Sequence, residues 1–172
     1  MMKKRLTSLA LSAMMVLSMV PATAFAAKDA GTPPTYNSAT GCYEISTPAQ
    51  LLYLAGKWKD GAPRDGHYVL TADIDMTGVK GFKPIASKKA EGFTGTFDGQ
   101  FHSIKGLRVE YEKKYAGLFG YVGNQNDQAY IKNVALLDCY VTGQQNVGAL
   151  AGVNYGTITD CVVTGEVKCL DL

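Results

Sequence analysis

The sequence has little net charge and no cluster of one sign beyond its first residues. Seventeen Lys and Arg stand against fifteen Asp and Glu, a formal net charge of +2. Three of the basic residues, Lys3, Lys4 and Arg5, lie in a leading segment without acids, so fourteen basic residues face fifteen acidic ones in the remainder. A near-neutral chain lacks the basic patch that phosphate backbones and anionic membrane surfaces attract. The composition therefore argues against nucleic acid as a partner.

The motifs of several enzyme classes are also missing. His67 and His102 are the two histidines, and neither stands in the His-Glu-x-x-His arrangement of a metallopeptidase. The sequence contains no Gly-x-Ser-x-Gly elbow, P-loop or dinucleotide fingerprint. These absences remove the motif-based reasons for expecting peptidase, serine hydrolase or nucleotide chemistry.

Cysteines are few and irregularly spaced. Cys42, Cys139, Cys161 and Cys169 form no CxxC or Cys/His pattern, which argues against zinc and thioredoxin-like sites. In an exported protein they allow three disulfide pairings, and the alternative is that they are small buried apolar residues.

Residues 1–26 predict a bacterial-type secretory signal peptide. The charged start Met1–Arg5 precedes the mostly apolar Leu6–Val20 and the small-x-small sequence of Ala24–Ala26. The apolar stretch is short and interrupted by Ser and Thr, whereas a membrane span needs about 20 apolar residues. An uncleaved anchor is the alternative, but no second hydrophobic segment follows. We therefore expect a secreted, extracellular protein without a membrane span after cleavage.

One short helix is expected after a flexible leader. Residues 27–41 are rich in Pro, Thr, Ser, Ala and Gly without an apolar period, and they predict the leader. Thr47 at the N-cap, Pro48 at the first helical position and Gln50 at the third form a capping box. One apolar helix face follows, formed by Leu51, Leu54, Ala55 and Trp58. We expect this helix to cover one end of a β-rich remainder.

The rest of the chain is rich in glycine and contains internal repeats. All nineteen glycines lie after residue 26, and from His67 onward short apolar runs are broken by Gly, Asn and Asp. Similar tetrads start 27 residues apart at Ile104, Ile131 and Ile158. Two further matches are Ala116–Tyr121 with Val147–Gly152 and Val141–Gly143 with Val163–Gly165.

The repeats predict an all-β fold built from stacked parallel coils, a β-solenoid over residues 42–172. A single unit cannot bury its own apolar face, so neighbouring units must stack. The period is shorter than a propeller blade of about 40 to 50 residues and lacks the helices of ankyrin arrays. We expect Ile104, Ile131 and Ile158 to form an interior ladder. The alternative, a glycine-rich β-sandwich, does not explain the repeat.

A family resemblance adds to this interpretation. The run Gly148–Cys161 resembles the GLUG motif, a short repeat of bacterial surface and secreted proteins, and Ala116–Tyr121 resembles a degenerate copy. Upstream, Tyr68–Met76 and Phe93–Ile104 resemble the opening coils of adhesin-like and IgA-peptidase-associated proteins. The resemblance implies a right-handed parallel β-helix (β-solenoid) with a short N-terminal capping helix.

Four polar residues are candidates for chemistry. Asp73, Asp75 and Asp98 with His102 could serve a glycosidase or a calcium-dependent lyase, since β-helix folds host such enzymes. The alternative is structural, because Asp-Gly at 98 and 99 is a turn signal and the other two carboxylates could bond the backbone of a bend. We favour the structural interpretation and predict no catalytic, cofactor-binding or metal residue and no cofactor.

Tyrosines near predicted turns and strand edges are the remaining candidates for binding. Exposed rings there could stack on sugars or fill a partner's pocket, whereas the alternative is that half or more of them pack against the coils. The set comprises Tyr111, Tyr115, Tyr121, Tyr130, Tyr140 and Tyr155. The sequence singles out none of them.

Three hypotheses for function follow. The leading one is a non-enzymatic, secreted or surface-associated solenoid that binds a protein or glycan at a cell surface or acts as a spacer. The second is a polysaccharide-active enzyme, a lyase or glycosidase, of the β-helix type. The third is a portion of a larger adhesin truncated at its C-terminus, because the repeats run to Val167 without a polar cap. An open last coil also predicts self-association through its edge.

Overall fold

The computed structural model describes residues 31–56 and 62–170. Within these residues the fold has thirteen strands, helix α1 (Pro48–Gly56) and a short 3-10 turn (Lys89–Glu91). The strands are β1 (Thr35–Asn37), β2 (Cys42–Ile45), β3 (His67–Leu70), β4 (Ile74–Asp75), β5 (Thr96–Asp98), β6 (Ser103–Lys105), β7 (Arg108–Ala116), β8 (Phe119–Val122), β9 (Tyr130–Lys132), β10 (Ala135–Val147), β11 (Ala151–Asn154), β12 (Thr157–Thr159) and β13 (Val162–Cys169). The predicted signal peptide and Trp58 lie outside the described residues.

These strands form three sheets, each receiving strands from successive coils. The first sheet has the order β1-β2-β3-β5-β9-β12, and the second has β13-β10-β6-β4 with β7 also paired to β10. The third joins β8 to β11. Every pairing is parallel except that of β1 with β2. The predicted all-β parallel β-helix is therefore confirmed.

The prediction of a flexible leader over residues 27–41 is wrong for its second half, which is part of the fold. Residues 35–37, inside the predicted leader 27–41, form β1 and pair antiparallel with β2, Tyr36 opposite Tyr43. The alternation that would have indicated a strand is too short to read, because the turn at Gly41 follows within a few residues. The hairpin adds an antiparallel strand to the first edge of the sheet.

The coils are not uniform in length, so the predicted isoleucine ladder is only partly correct. Partners in the first sheet are 25, 29, 34 and 27 positions apart, from Tyr43 through Tyr68, Phe97 and Ile131 to Ile158. Ile131 and Ile158 pair as predicted.

Ile104 belongs to another ladder. It lies in the second sheet between Ile74 and Leu136. The tetrads share a local feature, a strand that runs into a left-handed corner residue. The φ angle is 67° at Gly106, 55° at Asn133 and 52° at Asp160. Because this strand-and-corner unit occurs at two places around the coil, equal spacing did not mean equal position.

The other two sequence matches had different outcomes. Ala116 pairs with Val147 as predicted, although the register then shifts so that Phe119 faces Ala151. The match of Val141–Gly143 with Val163–Gly165 is wrong, because Val141 pairs with Val167. The partners of β10 and β13 are 27 positions apart at Leu136 and 26 at Val141, whereas the sequence match assumed 22.

Helix α1 closes the first end of the solenoid, as predicted. The Thr47 Oγ1 accepts the backbone N–H of Gln50 at 3.3 Å. The Gln50 Oε1 in turn accepts the backbone N–H of Ser46 at 2.8 Å, so the reciprocal bond of the predicted capping box is displaced to the residue before the N-cap. Leu51 and Leu54 are fully buried in the same apolar cluster as the β-strands.

The last described coil, made of β11, β12 and β13, has no strand on its outer side within the described residues. Every residue of β13 is exposed. Among the exposed apolar side chains are Val162, Val163, Val167 and Leu170. The two ends of the described fold are therefore different, one covered and one open.

Candidate functional site

The carboxylates singled out by the sequence serve the corners of the coils. One Asp73 oxygen accepts the backbone N–H of Ser103 at 2.7 Å and lies 3.4 Å from the His102 Nδ1, which ties two successive coils together. This backbone hydrogen bond is the main reason that the pKa of Asp73 falls below its usual value. Asp75 accepts the backbone N–H of Thr77 at 2.9 Å, and bonds from Thr77, the hydroxyl first, lower the pKa of Asp75.

Asp98 has the most partners of the three. Its Oδ1 accepts from the Gln100 N–H and the Asn133 Nδ2, both at 2.9 Å, and its Oδ2 lies 3.2 Å from the Lys132 Nζ. Burial alone would raise the pKa of Asp98, but the donors of Asn133, Gln100 and Lys132 outweigh it and the pKa is lowered. A general acid needs the opposite shift. All three candidate carboxylates therefore act as hydrogen-bond acceptors in this structure, and their lowered pKa values argue against a general-acid role.

The described residues offer little for metals or membranes. No group of three or more His, Cys, Asp or Glu side chains in this part of the chain is arranged to hold a metal ion. No helix among the described residues is long and apolar enough to cross a bilayer.

The four cysteines are unpaired thiols in the structure. Cys139 is buried, and burial is the main cause of the raised pKa of Cys139 and of Cys161. A raised pKa keeps a thiol protonated and unreactive. Cys169 is exposed and donates to the Gln144 carbonyl at 3.0 Å.

The candidate tyrosines divide by exposure. Tyr121 is buried, and Tyr111, Tyr115 and Tyr140 are half-buried. Tyr130 and Tyr155 are exposed, at 48% and 52% of their surface. One aromatic residue that sequence reasoning missed is Phe101, which is 81% exposed in a corner with a φ of 63°. An apolar residue in a left-handed turn carries no periodic signal, so it could not be found by pattern.

Tyr121 and Tyr155 meet on one side of the solenoid. Strands β8 and β11 pair in register, and the Tyr155 N–H continues the pairing to the Val122 carbonyl at 2.8 Å. The two rings stack with centroids 5.7 Å apart and planes at 29°, and Tyr115 meets Tyr121 edge-on at 5.5 Å. Burial, followed by a hydrogen bond with Tyr155, raises the pKa of Tyr121.

A glycine contact lets these coils approach closely. Gly123, with a φ of 69°, follows Tyr121 by two residues. A Cβ at Gly123 would lie 2.9 Å from the Gly156 nitrogen. Only glycine fits this backbone conformation and spacing without strain. The close approach of Gly123 to Gly156 therefore fixes Tyr155 above Tyr121.

A seven-residue loop projects beside the two rings. Residues 123–129 connect β8 to β9, whereas only two residues connect β11 to β12 in the next coil. Asn124 orders the loop: its Oδ1 accepts the N–H groups of Asn126 and Asp127 at 2.7 and 2.8 Å, and its Nδ2 donates to the Asp127 carboxylate at 2.9 Å. The side chains of Gln125 and Asn126 are exposed and make no hydrogen bond within the described residues.

The rings and the loop enclose a cleft of about 320 Å³, which we call the tyrosine cleft. Its lining comprises Tyr121, Tyr155, the loop residues 124–127, and Lys89 and Ala90 from the 3-10 turn. The volume lies at the lower end of the range of ligand clefts, roughly 300 to 1,000 Å³. Apart from Tyr121, which lies in β8, the lining residues belong to connections between strands, the usual position of binding residues on a rigid scaffold.

A second cleft of about 570 Å³ lies on the other side of the loop. Asn126 and Asp127 line both clefts, and Arg64, Asp65 and Thr94 line the second alone. The loop residues are therefore available from two sides.

Comparisons with known proteins agree with a solenoid and give no established activity. No family model matches the chain. The sequence is 34% identical over 142 residues to "Halomucin" of Haloquadratum walsbyi, an alignment covering 74% of this chain and 2% of that protein. It is 34% identical over 130 residues to a "Putative Gly-rich membrane protein" of Evansella cellulosilytica, covering 70% of this chain and 14% of that protein. The chain therefore spans a small fraction of the curated relatives that it matches.

One solved structure has the same fold. It is described as a "putative immunoglobulin A1 protease" from Bacteroides ovatus, with a TM-score of 0.59 and 21% identity. The match covers 79% of this chain and 39% of that one. At this identity the likeness establishes the β-solenoid architecture and leaves the function to be argued from the site.

Proposed function

We propose that this chain is a secreted or cell-surface β-solenoid that acts as a non-enzymatic, adhesin-like binding and spacer module. The observation that carries the proposal is the use of the three candidate carboxylates. Asp73, Asp75 and Asp98 each accept backbone hydrogen bonds at a corner, and each has a lowered pKa. The fold thus uses these groups to hold its coils, while polar and aromatic side chains remain exposed in the tyrosine cleft.

The location of the protein and its family are part of the same proposal. The sequence of residues 1–26 supports export, and the names of the relatives, a halomucin and a membrane protein, fit a place at the cell surface. We place the chain with GLUG-motif repeat proteins on the resemblance of Gly148–Cys161. Its partner would be a protein or glycan at such a surface.

We also propose that the open last coil pairs with a second copy of the chain. Within the described residues, strands β11, β12 and β13 have no strand on their outer side, and valines of β13 are exposed there. The opposite end is covered by α1 and β1. The complementary edge for one open coil is therefore the same edge of another molecule, which gives a two-fold symmetric contact.

Turnover assays separate binding from the alternative, a polysaccharide lyase or glycosidase. We expect the purified chain to release neither reducing ends nor unsaturated products from a panel of neutral and acidic polysaccharides. It should nevertheless sediment with isolated bacterial cell envelopes. Product release that disappears in Asp73→Ala, Asp75→Ala or Asp98→Ala would establish an enzyme instead. Thermal unfolding of each variant distinguishes lost chemistry from lost folding.

A further inference from the structure

We propose that the tyrosine cleft binds neutral oligosaccharides. The inference rests on the proposed binding function and names its ligand class and its site. A pyranose ring has an apolar face of C–H groups surrounded by hydroxyls. A complementary site therefore needs an aromatic surface bordered by groups that both donate and accept hydrogen bonds.

The aromatic surface is Tyr155. Half of its surface is exposed, and Tyr121 supports the ring from the coil below at 5.7 Å. Tyr121 is in turn buried and held edge-on by Tyr115. A supported tyrosine presents a large, rigid contact area and loses little conformational entropy when a ligand binds.

The bordering polar groups come from the loop between β8 and β9. Gln125 and Asn126 have side-chain amides without hydrogen bonds among the described residues, and each amide carries two donor hydrogens and an acceptor oxygen. Adjacent hydroxyls of a sugar require this combination of donors and acceptors. Because the Asn124 bonds already order the loop, a ligand would not have to pay that entropy itself.

The charges of the cleft favour a neutral ligand. Its lining contains one cation, Lys89, and one anion, Asp127. Phosphate, sulfate and carboxylate groups are recognised by clustered arginines, and no arginine lines this cleft. A protein partner would be expected at an apolar patch from which charge is depleted, whereas this cleft is concave, with three side-chain amides and two charges beside its rings.

The second cleft favours a chain of sugars over a single one. It adjoins the tyrosine cleft across Asn126 and Asp127, which line both. Thr94 and Gln128 supply further hydrogen-bonding groups there, and the charged side chains of its lining, Arg64, Asp65 and Asp127, are of both signs. A chain that rests on Tyr155 can therefore continue past the loop.

Calorimetric titration of the purified chain with cello-, malto-, manno- and chito-hexaose tests the proposal. We expect at least one of the four to bind. Tyr155→Ala should weaken that binding at least about tenfold, the effect of removing an aromatic anchor, and Tyr155→Phe should keep it because the ring is retained. Asn126→Ala should weaken it less. Tyr36→Ala is the matched control, because Tyr36 is 56% exposed and packs on Tyr43 at 4.9 Å in the first coil.

Three results would overturn the proposal. Binding that Tyr155→Ala leaves unchanged, with the variant folded by thermal unfolding, would place the glycan site elsewhere while the chain remained a binding module. Failure of all four hexaoses together with envelope binding that depends on Tyr155 would assign the cleft to another ligand class. Hydrolysis of a hexaose that Asp98→Ala abolishes would refute the binding function as well.

Discussion

The inner coils and the last coil are built from equivalent residues, yet only the inner ones are buried. Leu136 and Val163 are partners in the second sheet, and their exposed fractions are 0% and 42%. Val141 and Val167 form a second such pair, at 0% and 44%. The difference shows that an apolar residue in a solenoid is buried by the neighbouring coil rather than by its own.

The largest expected effect comes from making the same side-chain truncation in an inner coil and in the last coil. Ile131 and Ile158 are register partners, but Ile131 is fully buried and Ile158 only partly so. Ile131→Ala should lower the free energy of unfolding by about 3 kcal/mol, within the range for buried aliphatic truncations. Ile158→Ala should lower it by about 1 kcal/mol, because part of the side chain already contacts water. Urea titration followed by circular dichroism measures both, and equal losses would contradict the comparison.

If a second molecule covers the open last coil, the apolar residues of that coil should become buried like those of the inner coils. If a second copy covers β13, the weight-average mass in sedimentation should rise from micromolar to millimolar concentration. Val163→Lys combined with Val167→Lys should raise the dissociation constant at least about tenfold, because charged side chains on an edge oppose pairing. Ser38→Lys, an exposed position at the covered end, is the control for added charge. A monomer at all concentrations would refute pairing.

A smaller effect is expected from the corner acids. Asp98 has a lowered pKa in the fold, so its contribution is complete above the unfolded-state pKa of about 3.9 and is lost as the pH falls through the lower folded-state value. Asp98→Asn should therefore cost about 1 kcal/mol at neutral pH, and less as the pH falls below about 4.

The control for this prediction is Asp160→Asn. Asp160 lies at a left-handed corner after β12 in the last coil, and its carboxylate has no hydrogen bond or ion pair among the described residues. Its replacement should leave the free energy of unfolding nearly unchanged at every pH. Urea titrations at a series of pH values measure both variants, and a cost for Asp98→Asn that does not vary with pH would contradict the assignment.

The sequence predicted the fold class well because its signals were local. The helix N-cap at Thr47 and the strand-and-corner tetrads at Ile131 and Ile158 are short-range features, and the structure contains them. The assignment of Ile104 to the same ladder failed because coil length varies with the loops, and pairing between coils is a non-local property. Apolar spacing cannot distinguish two ladders whose strands have the same composition.

The sequence identified the two tyrosines of the candidate site only as members of a longer set of candidates. Tyr121 and Tyr155 are 34 positions apart, and the match of Ala116–Tyr121 with Val147–Gly152 indicates that β8 and β11 are neighbours without indicating that these two rings meet. The ordered loop carried a clearer signal, since Asn124–Asp127 is a polar run between two apolar strands. What the sequence could not provide was the stacking that brings this loop beside the exposed ring.

The connection after β8 bears on how such a protein diversifies. Lengthening it from the two residues found after β11 to seven costs only about 1 kcal/mol of closure entropy, and Ile131 still pairs with Phe97 on one side and Ile158 on the other. An inserted segment at a corner therefore leaves the strand ladder intact. Natural selection can change what one level of the stack recognises while the levels above and below keep their inherited pairing.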